Sequence, residues 1–277
     1  MRRPITGYRV MIGGLLEERQ LSYRLAWSLI AALIFCTLNA AVIARELPDT
    51  IAAIKPSIVG VATVQDTRTP PMSLRGTGFA VGDGRYVVTN AHVVPRILDD
   101  RNHEYLAVLV GTGSQPDIRK AEQIAADFDH DLVLLKIAGP ALSPLVIGDS
   151  SQVREGDRLV FTGFPIGFVL GLYPVTHSAM VSSITPIAVP MDQSRSLDPR
   201  LISQLRRPFQ VFQLDATAYP GNSGSPLYRP DSGEVVGVIN MVFVKGSREK
   251  VLADPSGISY AMPAQFIREL LARALSK

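Results

Sequence analysis

Residues 221–226 read Gly-Asn-Ser-Gly-Ser-Pro and hold the side chain best suited to act as a nucleophile, Ser223. A serine between two glycines just after a proline is lifted out of a tight turn, because glycine tolerates the backbone conformations of such a turn. Two upstream segments supply what a serine needs in order to react. An apolar run ends with His92, and another begins with Asp131. These residue types occur in the chain order His, Asp, Ser.

The chemistry that these three residues predict is nucleophilic attack by a hydroxyl. A serine is a weak nucleophile at neutral pH, so it needs an imidazole to take its proton and a carboxylate to orient that imidazole. We assign Ser223 as the nucleophile, His92 as the general base and then acid, and Asp131 as the orienting carboxylate. Asp127 and Asp129 compete for the orienting role, and Asp131 is favoured because it directly precedes the apolar run.

Gly221 has a second expected task beside turning the chain. Its flexible backbone lets its own N–H group and that of Ser223 point together at a developing negative oxygen. The loss of one such donor typically lowers a rate by about 100- to 1,000-fold. The pattern therefore predicts an oxyanion hole formed by Gly221 and Ser223.

From about residue 51 to about residue 267 the sequence resembles trypsin-fold serine peptidases of the HtrA/Deg type. Six blocks lie in the order of that family: TGFAV at 77–81, YVVTNAHVV at 86–94, DLVLLKI at 131–137, IGDS at 147–150, GDR at 156–158 and GVIN at 237–240. One Gly-x-Ser-Gly pattern is a weak signal, whereas several blocks in register are a strong one. The resemblance implies a serine endopeptidase that cleaves peptide bonds of proteins through an acyl-enzyme intermediate.

The sequence departs from the family's pattern near the nucleophile. Ser225 stands where the family usually has a second glycine, and Ala218 with Tyr219 replaces the usual Ile-Asn before Pro220. Ser225 is small enough to fit, whereas Tyr219 is expected to reshape the substrate pocket. No PDZ-like segment follows the last matched block, so peptide-tail recognition by an appended module is not expected.

The resemblance also implies which residues line the pocket for the side chain that precedes the cleaved bond. The residue six positions before the nucleophile lies at its base, and here that residue is Thr217, where trypsins have an aspartate. Ala218, Tyr219, Asn240 and Val242 are the other expected pocket residues. Without a carboxylate at its base, the pocket is expected to prefer apolar side chains.

The fold implied by the resemblance is all-β, with two antiparallel six-stranded barrels. Short valine- and isoleucine-rich runs between turn residues agree with it. Strands are expected at 58–65, 77–81, 86–90, 105–110, 132–137, 158–163, 175–184, 210–215, 235–242 and 257–261. The first barrel then covers about 51–138 and the second about 145–262, with His92 and Asp131 on the first and Ser223 on the second. The reactive groups should meet in the cleft between them.

Three further segments have expectations of their own. A helical spacing of apolar residues predicts a carboxy-terminal helix over 263–275, with Pro263 in its first turn. Residues 66–75 are expected to form a short loop between the first two strands. Residues 186–208 exceed what a hairpin needs and are interpreted as a solvated surface excursion, with a regulatory or gating loop as the alternative.

Residues 25–44 form an apolar stretch interrupted only by Ser28, Thr37 and Asn39. A helix of about 20 residues spans the hydrocarbon layer of a membrane. An uncleaved transmembrane anchor is favoured, because both the preceding segment and the apolar stretch are long for a signal peptide. The alternative is cleavage near Ala44, which would give a secreted protein.

Charge fixes the expected orientation of this anchor. Five of the 28 basic and two of the 25 acidic residues lie in the first 24 positions, so the rest of the chain carries 23 of each. By the positive-inside rule, residues 1–24 stay in the cytoplasm and the protease domain, 45–277, faces outward, into the periplasm of a Gram-negative cell. The charge balance of that domain argues against a nucleic-acid partner, although the pI of the chain is near 9.1.

The single cysteine, Cys36, lies inside the apolar stretch, so residues 45–277 contain no internal disulfide. This is typical of bacterial enzymes rather than of secreted animal trypsins. The sequence has no His/Cys clusters spaced for a metal and no glycine-rich phosphate loop, so neither a metal nor a cofactor is expected. Protein or peptide substrates are the expected partners, in extracytoplasmic quality control or regulated proteolysis, and a homo-oligomer is left open. The rival interpretation is a catalytically silent protein that keeps the fold to bind unfolded chains.

Overall fold

The computed structural model describes residues 45–165, 171–186, 209–240 and 257–276. Within these ranges the chain forms two closed six-stranded barrels in which every neighbouring pair of strands is antiparallel. The expected all-β double barrel with a carboxy-terminal helix is confirmed. The anchor segment 25–44, most of the excursion 186–208 and the expected pocket residue Val242 lie outside the described residues.

The first barrel has the strand order β1-β2-β3-β6-β5-β4. Its strands are β1 (Ile58–Val64), β2 (Met72–Val81), β3 (Tyr86–Asn90), β4 (Tyr105–Val110), β5 (Asp117–Asp127) and β6 (Leu132–Ile137). All seven residues of β1 are buried. Its valines and isoleucine have branched side chains that pack well on a pleated surface, which explains why this run folds as a central strand.

The second barrel has the strand order β10-β11-β12-β9-β8-β7. Its strands are β7 (Arg158–Gly163), β8 (Val175–Pro186), β9 (Gln210–Asp215), β10 (Pro226–Tyr228), β11 (Val235–Asn240) and β12 (Ile258–Pro263). Helix α1 (Leu47–Ile54) precedes the first barrel, and helix α2 (Gln265–Leu275) follows the second. The strands β5 and β10 and the helix α1 were not expected from the sequence.

The expected loop over 66–75 is partly wrong, because β2 begins at Met72. Main-chain pairing extends the strand: Val64 lies opposite Met72 and Thr63 opposite Ser73, with a register shift between Val61 and Ala62. Residues 72–75 read MSLR and alternate for only four positions directly after two prolines, which is too short a pattern to predict a strand by itself.

The carboxy-terminal helix begins at Gln265 rather than at Pro263. Pro263 is instead the last residue of β12 and lies opposite Gly237. A proline is tolerated at a strand end because the ladder then needs no N–H from it. The next residue, Ala264, donates its N–H to the carbonyl of Val236 at 2.9 Å and so completes the pairing before the helix starts.

An apolar cluster joins the two barrels and fixes the cleft between them. It includes Phe79, Val88, Leu134, Val160, Tyr228 and Val238. The hydroxyl of Tyr228 lies 2.7 Å from that of Thr162, so this buried polar group is satisfied. Burial of each large apolar side chain stabilises the folded protein by about 1.5–3 kcal/mol. Because this cluster contains residues of both barrels, the same packing holds the barrels in their relative positions.

Helix α2 is fastened to the first barrel by a buried carboxylate, that of Asp127 at the end of β5. Arg273 donates to its Oδ2 at 2.6 Å, and Nδ1 of His130 lies 3.0 Å from the same oxygen. The ring of His130 stacks on Phe266 of α2 with 3.7 Å between the ring centroids. Burial raises the pKa of Asp127, but the contacts with His130 and Arg273 outweigh it and lower the pKa to about 2.

Among the described residues, no helix is long and apolar enough to cross a membrane.

Candidate active site

His92 and Asp131 meet at the edge of the first barrel. Nδ1 of His92 lies 2.6 Å from Oδ2 of Asp131, and the main-chain N–H of His92 donates to Oδ1 of the same carboxylate at 2.9 Å. One carboxylate therefore holds both the ring and the backbone of the histidine. With Nδ1–H as the donor, Nε2 carries the lone pair that a general base needs.

The backbone of Asp131 is in the left-handed region, with φ at 54°. Such a conformation costs free energy for a residue with a side chain, so it persists only where neighbours hold it. Its carbonyl accepts hydrogen bonds from the N–H of Ala91 at 3.0 Å and from the side-chain amide of Asn90 at 3.1 Å. The strand β3, which ends just before His92, thus also fixes the turn that carries Asp131.

The two competing carboxylates have other surroundings. Asp127 is buried against Arg273 and His130, on the side of the barrel covered by α2. Asp129 is exposed in the turn between β5 and β6. Among the three aspartates, Asp131 is the one in contact with His92.

The loop 221–224 that presents Ser223 depends on both of its glycines. Gly221 has φ at 103° and Gly224 has φ at 86°, values that side chains rarely adopt. A Cβ on Gly224 would also lie 2.0 Å from the carbonyl oxygen of Thr77. Glycine at 224 therefore permits the nucleophile loop to lie directly against β2 of the first barrel.

Ser223 is buried to 6 % exposure and lies close to the histidine segment. Gly76 of β2 lies against both segments. A Cβ on Gly76 would come within 2.7 Å of Val93, the residue after His92, and within 2.9 Å of the carbonyl oxygen of Ser223. Within the described part of the chain, Oγ of Ser223 makes no hydrogen bond to Nε2 of His92. Catalytic hydrogen bonds are often long without substrate and tighten when it binds.

The two expected oxyanion donors are the N–H groups of Gly221 and Ser223, on either side of Asn222. Within the described residues, neither the N–H of Gly221 nor that of Ser223 donates to a protein acceptor, whereas the N–H of Asn222, between them, donates to Tyr219 at 2.9 Å. No acceptor among the described residues thus competes for these two N–H groups.

Ser225, the departure from the family pattern, fits because of a glycine in the neighbouring strand. A Cβ on Gly163 would lie 2.0 Å from Oγ of Ser225 and 3.0 Å from Oδ1 of Asn222. The hydroxyl of Ser225 and the amide of Asn222 are fully buried and have no partner within the described ranges. A small side chain at 225 thus takes the space that Gly163 leaves open.

The expected pocket residues that are described lie on two adjoining segments. Thr217 and Tyr219 are half-buried, and Ala218 between them is buried. Ser259 of β12 anchors this segment, since it accepts from the N–H of Ala218 at 3.0 Å and donates to the carbonyl of Ala216 at 2.7 Å. The segment before the nucleophile is therefore held firmly on the second barrel.

Asn240 has a contact that the sequence did not predict. Its side-chain amide donates to Oδ2 of Asp131 at 3.0 Å, the oxygen that His92 also contacts. The residue reaches from β11 of the second barrel to the carboxylate of the first. The sequence block at 237–240 indicated that Asn240 belongs to the site, but nothing in the sequence indicated its contact with Asp131.

His177 and Tyr219 form an aromatic group beside the pocket segment. The ring of His177 stacks on Phe161 with 4.8 Å between centroids and lies 6.2 Å from the ring of Tyr219. Burial lowers the pKa of His177, because the charged imidazolium is disfavoured away from water. The half-buried Tyr219 is thus backed by apolar ring surface.

Known proteins share this sequence pattern. The chain is 31% identical to a probable periplasmic serine endoprotease, DegP-like, of Halomonas elongata. The alignment extends over 188 residues and covers 68% of this chain and 32% of that protein. It is 29% identical over 240 residues to the mitochondrial serine protease HTRA2 of Drosophila erecta, with 83% of this chain and 48% of that protein covered. The chain thus spans about a third to a half of the length of these relatives.

The fold is shared with a solved protease. The active form of the Rv3671c protease from M. tuberculosis superposes with a TM-score of 0.57 and 23% identity, over 81% of this chain and 83% of that one. The family model of the trypsin-like peptidase domain matches residues 76–238, from the strand that meets the nucleophile loop to the strand that carries Asn240. By its sequence and its double barrel, the chain belongs to the trypsin-like peptidases, as a homologue of the DegP/HtrA serine proteases.

Proposed function

We propose that this protein is a serine endopeptidase that hydrolyses peptide bonds of protein substrates through His92, Asp131 and Ser223. The observation that carries the proposal is the 2.6 Å contact between Nδ1 of His92 and Oδ2 of Asp131, on the barrel edge against which the Ser223 loop lies. A carboxylate so placed fixes the tautomer that leaves Nε2 as the proton acceptor.

The reaction then follows from the arrangement. Oγ of Ser223 attacks the carbonyl carbon of the scissile bond while Nε2 of His92 takes its proton. The N–H groups of Gly221 and Ser223 bind the oxygen that becomes negative. His92 returns the proton to the leaving amine, and an acyl group remains on Ser223. Water, activated by the same imidazole, releases the second product and restores the serine.

Labelling with a fluorophosphonate probe tests this proposal against the rival of a silent binding protein. The probe forms a covalent bond only with an activated serine, so we expect stoichiometric labelling of the folded protein, with the modified peptide containing Ser223. The controls are heat-denatured protein and the Ser223→Ala variant, neither of which should react. A folded protein that remains unlabelled would favour the binding role.

We also propose that the pocket prefers apolar side chains before the cleaved bond, with Val, Ile, Leu or Ala expected. Thr217 at its base offers no carboxylate, and Ala218 beside it is buried. A Lys or Arg side chain would bury its charge without a partner, which we expect to lower cleavage by at least about tenfold. Digestion of an unfolded protein, followed by sequencing of the fragments, measures the preference.

A matched variant sharpens this prediction. Thr217→Asp places a carboxylate at the expected base of the pocket and should shift cleavage toward bonds after Lys and Arg. Cuts mainly after Lys or Arg by the unaltered enzyme would contradict the assignment of Thr217. So would an unchanged pattern in the variant.

We further propose that residues 25–44 anchor the chain in the cell membrane, with the protease domain outside the cytoplasm. The apolar length of the stretch and the basic residues before it support this, as does the word periplasmic in the names of the DegP-like relatives. We expect the full-length protein to stay in the membrane during carbonate extraction. A soluble product beginning at Arg45 would identify a cleaved signal instead.

A further inference from the structure

Thr77 is a buried threonine of β2 that touches the nucleophile loop with both its backbone and its side chain. Its exposure is 0 %, and it lies in the first barrel, whereas the loop belongs to the second. The triad chemistry itself assigns no task to this residue. Its contacts with the nucleophile loop are therefore not part of the triad itself.

Three hydrogen bonds connect Thr77 to the second barrel. Its N–H donates to the carbonyl of Ser223 at 2.8 Å, and its hydroxyl donates to the carbonyl of Gly221 at 2.7 Å. The same hydroxyl accepts from the N–H of Phe164 at 3.0 Å, just after β7. One hydroxyl thus has its donor and one acceptor position both in use, which fixes its orientation.

We propose that Thr77 is the positioning residue of the oxyanion hole, holding the Gly221 and Ser223 N–H groups in place by fixing the two carbonyls of those same residues. This inference rests on the proposed peptidase function. The carbonyl of Gly221 belongs to the peptide unit 221–222, and the carbonyl of Ser223 belongs to the unit 223–224, so the unit 222–223, which carries the N–H of Ser223, lies between them. With both units held, the N–H of Ser223 lies between two fixed planes.

The surroundings of Thr77 are built for this close approach. Gly76 and Gly224 have no side chains that would separate β2 from the loop, since a Cβ on either would meet backbone oxygen within 3.0 Å. The carbonyl of Thr77 in turn accepts from the hydroxyl of Thr89 at 2.7 Å, on the neighbouring β3. The strand β3, which precedes His92, therefore fixes the position of Thr77 in turn.

The substitution Thr77→Val isolates the hydroxyl, because valine has nearly the same shape. The variant leaves the N–H of Phe164 and the carbonyl of Gly221 without their partner in a buried site. Misplacement of a donor matters in the transition state more than in substrate binding, so we expect kcat to fall by about ten- to hundredfold with KM little changed. Thr77→Ser keeps the hydroxyl and should restore most of kcat.

Thr162→Val is the matched control. Thr162 is also a fully buried threonine, and its hydroxyl contacts those of Thr176 and Tyr228 rather than the nucleophile loop. The Thr162→Val protein should be less stable than the unaltered protein but should not show the selective loss of kcat. Rate constants for fluorophosphonate labelling are compared in all variants at a temperature where circular dichroism shows each variant to be fully folded, so that a lower rate constant reports on the site and not on the folded fraction. If Thr77→Val does not fold, Thr77→Ala removes the same hydroxyl without adding a methyl group.

Hydrogen exchange of the segment 219–225 supplies a readout that does not depend on activity. We expect faster exchange there in Thr77→Val than in Thr77→Ser or Thr162→Val. A kcat and an exchange rate that match those of Thr162→Val would overturn the inference. If the unaltered protein neither cleaves nor labels, the proposed function fails, and the exchange comparison alone then decides whether Thr77 orders the loop.

Discussion

Ser223→Ala is expected to abolish peptide cleavage, by about 10⁶-fold in kcat, while leaving the protein folded. The substitution removes one oxygen and leaves the carbonyl of Ser223, which Thr77 binds, and both flanking glycines in place. His92→Ala should be about as damaging, because members of a triad act as a unit. Turnover of a peptide substrate and the far-ultraviolet circular dichroism of both variants provide the measurement.

Contamination by a host protease is the main confounder of such a large loss. The double variant His92→Ala/Ser223→Ala serves as the control, since it should be no slower than either single variant. Turnover by purified Ser223→Ala at the rate of the unaltered enzyme would refute the assignment of the nucleophile. Additive losses in the double variant would mean that the two residues act separately.

Asp131→Asn is expected to lower kcat by about 10⁴-fold through the wrong tautomer of His92. An asparagine keeps the shape of the carboxylate, but its NH₂ group can take the place of Oδ2 and turn a donor toward the donor Nδ1–H, so that the imidazole proton moves to Nε2. Asn240 would meet the same conflict, since its own NH₂ donates to Oδ2 of Asp131. The effect is measured as kcat of both proteins at the same pH.

The neighbouring aspartates provide matched controls for this second prediction. Asp129→Asn changes an exposed carboxylate two positions away and should retain activity. Asp127→Asn removes a buried charge beside Arg273 and should lower stability, while the folded protein keeps its turnover. Loss of turnover in either control that equals the loss in Asp131→Asn would reassign the orienting carboxylate.

The longer buried strands were predicted well from the sequence, whereas an exposed strand and a very short one were missed. The strands β3, β4, β6, β7 and β9 begin and end at the residues that were predicted. In contrast, β5 reads DIRKAEQIAAD and is buried only at Asp127, so main-chain pairing with β4 and β6 maintains it rather than an apolar pattern. The three residues of β10 are too few to show any period.

The candidate site also contains residues that the sequence predicted and contacts that it did not. Residue types and blocks pointed to His92, Asp131 and Ser223, because the chemistry demands those types and the family spacing limits the choice. The contacts of Thr77 with Gly221 and of Asn240 with Asp131 could not be predicted, since each joins residues more than 100 positions apart in the chain. Such pairs depend on how the two barrels close on each other, which no local pattern encodes.

The attachment of α2 to the first barrel bears on how the molecule is made. The helix packs on β5 and β6, and Arg273 reaches Asp127, four positions before Asp131. Synthesis runs from the amino terminus, so all six strands of the first barrel exist before this helix has been translated. The turn leading to Asp131 therefore receives this packing partner only after residues 265–275 have been translated. A nascent or truncated chain without that helix lacks the contact, so the first barrel is completed by a segment that is made after the second barrel.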